Sequence, residues 1–276
     1  MSGKLFIVAT PIGNLEDLTP RARKTLAEVD LVAAEDTRHT GRLLSHIGVK
    51  APLLALHDHN EAQAVSSVIA ALESGKSIAL VSDAGTPLVS DPGYRLVQAA
   101  HAHSIVVSPI PGPCAVTAAL SVAGLPTDRF CFEGFLPAKQ AARRQVLDTL
   151  CRESRTLVFY ESVHRITAVL EDMCAAFGDG RLAFIGRELT KLHEQCVQGT
   201  LGSLAVKVRD AAIVRKGEFV IVVAGSDEIA ESSLEVDRLL VALNEHLSAK
   251  DAARVAADAT GLKRNDVYKR LMVIRG

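Results

Sequence analysis

The chain has 276 residues and a formal net charge of −1, with 48% hydrophobic, 23% charged and 4% aromatic residues and no tryptophan. This excludes a disordered chain and leaves room for two medium domains or one large one, with a core of Val, Leu, Ile and Ala. Five scattered cysteines without a CxxC pair argue against a disulfide framework or zinc ribbon and for a reducing, cytoplasmic setting; no run is long enough for a signal peptide or a membrane span.

Residues 4–9 read as a buried strand that ends in a Gly/Pro loop, 10–17. Thr19 as N-cap and Pro20 in the first turn predict a helix to about residue 28. A strand over 30–34 runs into Glu35-Asp36-Thr37-Arg38-His39, which opens a helix to about 47. A third strand, 52–56, leads to His57, Asp58, His59 and Asn60, with Asn60 as a cap for the amphipathic helix 61–73. The strand 77–81 enters Ser82-Asp83-Ala84-Gly85-Thr86-Pro87, and Asp91 followed by Pro92 predicts a capped helix over 92–102. A strand over 104–108, a Pro-rich turn and a helix over 114–122 complete the alternation. Strands and helices at this spacing give a mostly parallel sheet covered on both faces, a first domain over 1–122.

A hinge at 123–127 introduces a second domain, 128–225, with predicted strands at 129–135, 156–160, 182–186, 197–201 and 219–224 in a mixed sheet. Its helices are a basic one carrying Lys139, Arg143 and Arg144, and another over 163–177. After a polar linker, 226–233, residues 234–276 read as helices broken by Gly261, the pattern of a helix-turn-helix. Residues 263–276 hold five basic side chains and one acid, so this tail is +4 on a remainder of −5, which points to a polyanionic partner or to a helix packed on a second copy.

Two familiar signals fail on context. GxGxxA at 178–183 follows a helix and precedes a strand, the reverse of a dinucleotide fingerprint, and Gly75-Lys76-Ser77 lacks the upstream glycine of a phosphate loop. His57 and His59 lack a third ligand in sequence, so no metal is expected. Three loops remain, at 10–17, 82–87 and 109–115, each after a buried strand, where open α/β sheets bind ligands. Cys114-Ala115 opens a helix whose free N–H groups favour an anionic group. Together they outline a cleft for a small molecule with apolar and charged ends.

The segments TPIGNLED, AEDTRHT, LHDHNE, SDAGTPLVSDPGY, PGPCA, EGFLP, YESVHR and RELTK, in that order, resemble the ribosomal RNA small subunit methyltransferase I family over essentially the whole chain. The resemblance implies a two-domain α/β tetrapyrrole-methylase fold with a C-terminal helix-turn-helix, in a homodimer. It implies S-adenosylmethionine-dependent methylation of a cytidine ribose 2′-hydroxyl in the decoding region of 16S rRNA, on the small ribosomal subunit. Carried over by position, Pro11, Asp83, Gly85, Thr86, Cys114, Ala115 and Tyr160 face the cofactor.

In-line displacement onto a weak ribose nucleophile needs orientation and a proton acceptor. Glu35, Asp36, His39, His57, Asp58 and Glu133 sit at strand ends; Glu35 is the first candidate and Glu133 the second. Arg38, Lys139, Arg143, Arg144, Arg187 and Lys191, with Lys263, Arg264, Lys269 and Arg270 of the tail, are candidates for phosphate contacts. With few aromatics for stacking, recognition of an assembled particle by phosphate and shape is expected. The rivals are methylation of a small tetrapyrrole or of a protein side chain in the same fold, and a non-catalytic nucleic-acid-binding protein.

Overall fold

The structure is a computed structural model and describes residues 3–57, 61–226 and 233–275. Asp58, His59 and Asn60, with the cap expected at Asn60, lie outside the described residues. The chain divides into two compact units, residues 1–225 and 226–276.

Within the larger unit, the first half alternates strand and helix: β1 (Lys4–Val8), α1 (Pro20–Glu28), β2 (Leu31–Ala34), α2 (Thr37–His46), β3 (Leu53–Ala55), α3 (Glu61–Glu73), β4 (Ile78–Val81), α4 (Tyr94–Ala102), β5 (Val106–Ile110) and α5 (Ala115–Ala123). The strands pair in parallel in the order β3-β2-β4-β1-β5. All four residues of β4 are buried, as a central parallel strand covered on both faces requires. Leu26 of α1 with Leu43 and Leu44 of α2 fills one face, while Val68 and Leu72 of α3 with Leu96 of α4 fill the other. The chain therefore leaves β1 toward one face and β4, its neighbour, toward the opposite face. That divergence opens a crevice at their carboxyl ends.

The second half contains β6 (Phe130–Phe135), α6 (Gln140–Leu150), β7 (Thr156–Ser162), α7 (Ile166–Phe177), β8 (Leu182–Arg187), β9 (Gln195–Thr200), α8 (Leu201–Arg209) and β10 (Glu218–Val223). The sheet order is β6-β7-β10-β8-β9, with β6 and β7 parallel and the other pairs antiparallel. Alternation along β10 divides two cores: Phe219, Ile221 and Val223 face α6, α7 and α8, while Val220 and Val222 face α5 and Ile12. Residues of both halves thus share one core, in which each fully buried Leu, Ile, Val or Phe contributes roughly 1.5–3 kcal/mol.

Several boundaries and one helix differ from expectation. The last strand of the first sheet runs from Val106 to Ile110, two residues later than read, and includes Pro109. It is an edge strand, where the missing N–H leaves no interior ladder bond unmade. The helix expected at Pro92 starts at Tyr94 with Gly93 as its N-cap residue, because Leu88 (φ 73°), Ser90 (φ 71°) and Gly93 (φ 124°) hold this segment irregular. Asp91 is thereby no cap. Helix α8 was not read from the sequence, although Thr200 caps it by accepting from the Ser203 N–H and Leu201, Leu204 and Val208 give it a buried stripe.

In the smaller unit, α9 (Ser233–Asn244), α10 (Ala249–Thr260) and α11 (Arg264–Arg275) form a three-helix cluster around Leu240, Ala253, Val267 and Leu271. Ser248 caps α10, and Gly261 ends it with φ 73°, a conformation that suits glycine.

Candidate active site

A cavity of about 320 Å³ lies between the crevice of the first sheet and the α5-facing side of the second. Its first wall is made by the loops after β1, β4 and β5, and backbone pairing fixes their positions. Thr10 and Gly85 exchange both backbone hydrogen bonds, at 2.9 and 3.0 Å, and the Thr86 hydroxyl donates to the Pro113 carbonyl at 3.0 Å. Gly85 has φ +87°, and a Cβ there would meet the Ile12 side chain at 3.1 Å, so glycine alone brings backbone to the cavity without strain. The second wall is apolar and aromatic: Tyr160 of β7 stands edge-on to Phe132 and Phe135 of β6, with ring centroids 4.8 and 5.6 Å away. Leu189 and Val220 extend it.

Of the residues expected to face a cofactor, Gly85, Thr86, Cys114, Ala115 and Tyr160 line this cavity together. Pro11 and Asp83 are outside its wall; their chain neighbours Ile12 and Ala84 are in it. Asp83 instead accepts the Asp36 N–H at 3.0 Å, tying the loop after β4 to the start of α2. Burial raises the Tyr160 hydroxyl well above its usual range, with Cys114 adding to the shift, so tyrosine stays neutral.

Asp91, which sequence reading assigned to a helix cap, lines the cavity. Burial lifts its carboxyl from the usual 3.8 to about 6; the Ser82 hydroxyl opposes the shift, and the charges of Glu35 and Asp83 add to it. The two other carboxylates in the wall are engaged: Glu161 by Arg165 at 3.0 Å and Glu218 by Lys191 at 2.9 Å. Glu35 is not part of the cavity wall and acts on Asp91 through its charge. Glu133 lies close enough to Arg155 and Cys131 to act on both and is not part of the cavity wall. Four of the six non-glycine residues with positive φ among the described residues flank the cavity, Leu88 and Ser90 on one side and Glu188 and Thr190 on the other, and such backbone concentrates at functional sites.

The expected phosphate ligands fall into two groups. Arg143 and Arg187 are 4% exposed and turned inward, which corrects their assignment to a nucleic-acid surface. Arg143 pairs with the fully buried Asp172 at 2.6 Å, and Arg187 donates to the carbonyls of Lys216 and His193, both at 2.7 Å. Burial would raise the Asp172 carboxyl, but hydrogen bonds from Arg144, Arg143 and Gln140 hold it below its usual value. Lys191 bridges Glu188 and Glu218, and Arg270 pairs with Asp237 at 2.6 Å. Lys139, Lys263, Arg264 and Lys269 are exposed, as are Arg38, held by Asp36, and Arg144, held by Asp172.

A glycine-formed crevice facing a second, mixed sheet across a shared core defines a class. The sequence model of the tetrapyrrole (corrin/porphyrin) methylases matches residues 4–205, so the chain is a methyltransferase of that class and uses a methyl donor. The same fold recurs in a cobalt precorrin-4 methyltransferase (TM-score 0.59, 19% identity, 80% of this chain and 94% of that one). It recurs again in the methyltransferase CobJ (TM-score 0.60, 21% identity, 82% and 95%). Residues 230–275 match the RsmI C-terminal HTH domain. Proteins called ribosomal RNA small subunit methyltransferase I are 54% identical in Xylella fastidiosa (96% of this chain, 98% of the relative) and 52% in Escherichia coli O157:H7 (97% and 94%). The chain belongs to the ribosomal RNA small subunit methyltransferase I family.

Proposed function

We propose that this methyltransferase moves a methyl group from S-adenosylmethionine to the ribose 2′-hydroxyl of a cytidine in the decoding region of 16S rRNA, on the small ribosomal subunit. The resemblance adds a homodimer in the cytoplasm to this reading. The name shared by the relatives supports the substrate class, and the cavity carries the chemistry: an apolar, aromatic wall faces one carboxylate that no ion pair engages among the described residues, Asp91.

The residues present fit the donor. The Gly85 backbone and the α5 start at Cys114-Ala115 offer polar groups beside space that a Cβ on Gly85 would crowd, while Tyr160 and Phe135 offer ring surface. When bound, S-adenosylmethionine supplies an electrophilic methyl on a cationic sulfonium. Tyr160, neutral and locked against two phenylalanines, excludes water and fixes the line of approach. Asp91 would hold the ribose hydroxyl and take its proton on a carboxylate oxygen during transfer of that methyl. Burial keeps the proton affinity of Asp91 high, and the charge of Glu35, the first candidate read from sequence, adds to it. Exposed Lys139 and Arg144, with Arg38 and the tail residues Lys263, Arg264 and Lys269, remain the proposed contacts to more distant phosphates.

The test is transfer of labelled methyl to small subunits from cells lacking this protein, with nuclease digestion to locate the label. Label on a cytidine 2′-oxygen is expected. Donor binding without label on subunits would redirect the search to tetrapyrrole or protein acceptors, and failure to bind donor would end the reading.

A further inference from the structure

The antiparallel register of β7 and β10 sets Ser162 opposite Glu218, so the turn after β7 and the segment before β10 emerge side by side. That turn carries His164, and that segment carries Arg215 and Lys216. The three side chains, all exposed, line an open groove of about 510 Å³ that also includes Val163 and Gly217. Val163 and Gly217 belong to the wall of the cavity as well, so the groove opens directly from its mouth. Among the described residues no carboxylate pairs with His164, Arg215 or Lys216. Three acids stand at this edge, and each has a partner outside the groove: Glu161 pairs with Arg165, while Glu188 and Glu218 share Lys191.

Two unpaired cations, Arg215 and Lys216, with a histidine beside them at the mouth of a reaction cavity, bind an anion that continues from the substrate inside it. A guanidinium fork matches the oxygens of a phosphodiester, and a neighbouring ammonium adds a point charge. We propose that His164, Arg215 and Lys216 form the site that grips the RNA phosphates flanking the target nucleotide, so that the strand runs out of the cavity between the β7 and β10 ends. This rests on the reading that the acceptor is RNA. The loop is rigid enough for the task, because Arg187, buried beneath it, donates to the Lys216 carbonyl at 2.7 Å. None of the three residues was singled out by sequence reading for contact with RNA. Arg215 and Lys216 follow an exposed valine in a short irregular stretch, where a basic pair reads as ordinary surface.

The experiment uses the full chain with substitutions Arg215→Gln and Lys216→Gln, singly and together, on small subunits lacking the modification. The expected result is a subunit KM raised on the order of tenfold per lost contact. Turnover at saturating subunit and donor Kd stay within about threefold, and Arg215→Lys restores part of the loss. The slope of log binding against log salt, at fixed magnesium, should flatten by about 0.7 per contact removed. A subunit KM and salt slope that match the unaltered chain overturn the proposal, and so does an effect confined to donor Kd, which would give the groove to the donor's carboxylate. No transfer by the unaltered chain would instead remove the RNA reading and this assignment with it.

Discussion

The two walls of the cavity are built by opposite means. The wall from the parallel sheet is made of loops and presents backbone, hydroxyls and a carboxylate; the wall from the mixed sheet is made of strand faces and presents rings and aliphatic groups. A loop wall can place polar groups at angles that a pleated surface forbids, but it needs unusual backbone to do so, hence Gly85, Leu88, Ser90 and Gly93 at positive φ within nine residues. A strand wall is rigid without such devices, and its polar chemistry is displaced to the ends of its strands. Reactive groups and steric groups are therefore carried by different parts of the chain.

If that division holds, Asp91→Asn should lower turnover by about two orders of magnitude or more with little change in donor Kd, read by single-turnover transfer. A loss below threefold would move the reactive group off the loop wall. The pH dependence sharpens the same point. Asp91 has a folded-state pKa of about 6 against an ordinary 3.8, so between those values the folded chain holds the extra proton. Stability should rise as pH falls from 6 toward 4, by an amount that solvent screening of this half-buried group reduces, while transfer declines through the same interval. Both trends should vanish in Asp91→Asn, followed by denaturant melts and initial rates.

Next in size is Arg143→Ala on the outer face of the strand wall. Removing one partner of the buried pair with Asp172 should cost about 3 kcal/mol in urea melts and leave the salt dependence of subunit binding unchanged. A flattened salt slope at unchanged stability would return Arg143 to the RNA surface. Gly85→Val should weaken donor binding by about tenfold in calorimetry, since a side chain at φ +87° must push Ile12 aside. The smallest effect expected is from Tyr160→Phe, which keeps the ring contacts and removes a neutral hydroxyl. Donor Kd should rise only a few-fold by the same measurement, because this wall acts through shape.

Much of this arrangement was legible in the residues. The loops that carry Gly85, Thr86 and Cys114 were legible as a ligand edge because Gly/Pro loops after buried strands have one common use in an open α/β sheet, while the individual residues, Tyr160 among them, came from the family pattern. Asp91 was hidden by its own neighbours: Asp-Pro-Gly is also how a capped helix begins, and only the left-handed turns at Leu88 and Ser90 send the carboxylate to the cavity instead. Charge misled in the complementary way. Arg143 and Arg215 are alike as letters, yet one is sealed against Asp172 and the other lies open in a groove, and that contrast is set by partners distant in the chain. Strand register brought His164 beside Arg215, which no local pattern encodes.

The bond from Arg187 to the carbonyl of Lys216 gives a buried cation an indirect part in recognition. A surface loop that must be ordered by its ligand gives up part of its affinity to lost conformational freedom. Here the segment before β10 is ordered when the sheet folds, because the guanidinium beneath it also holds His193 and Gln195. The partner then meets a template already set. The expected signature is kinetic: weakening this anchor should slow productive docking at every salt concentration, whereas removing a surface cation should slow it most at low salt.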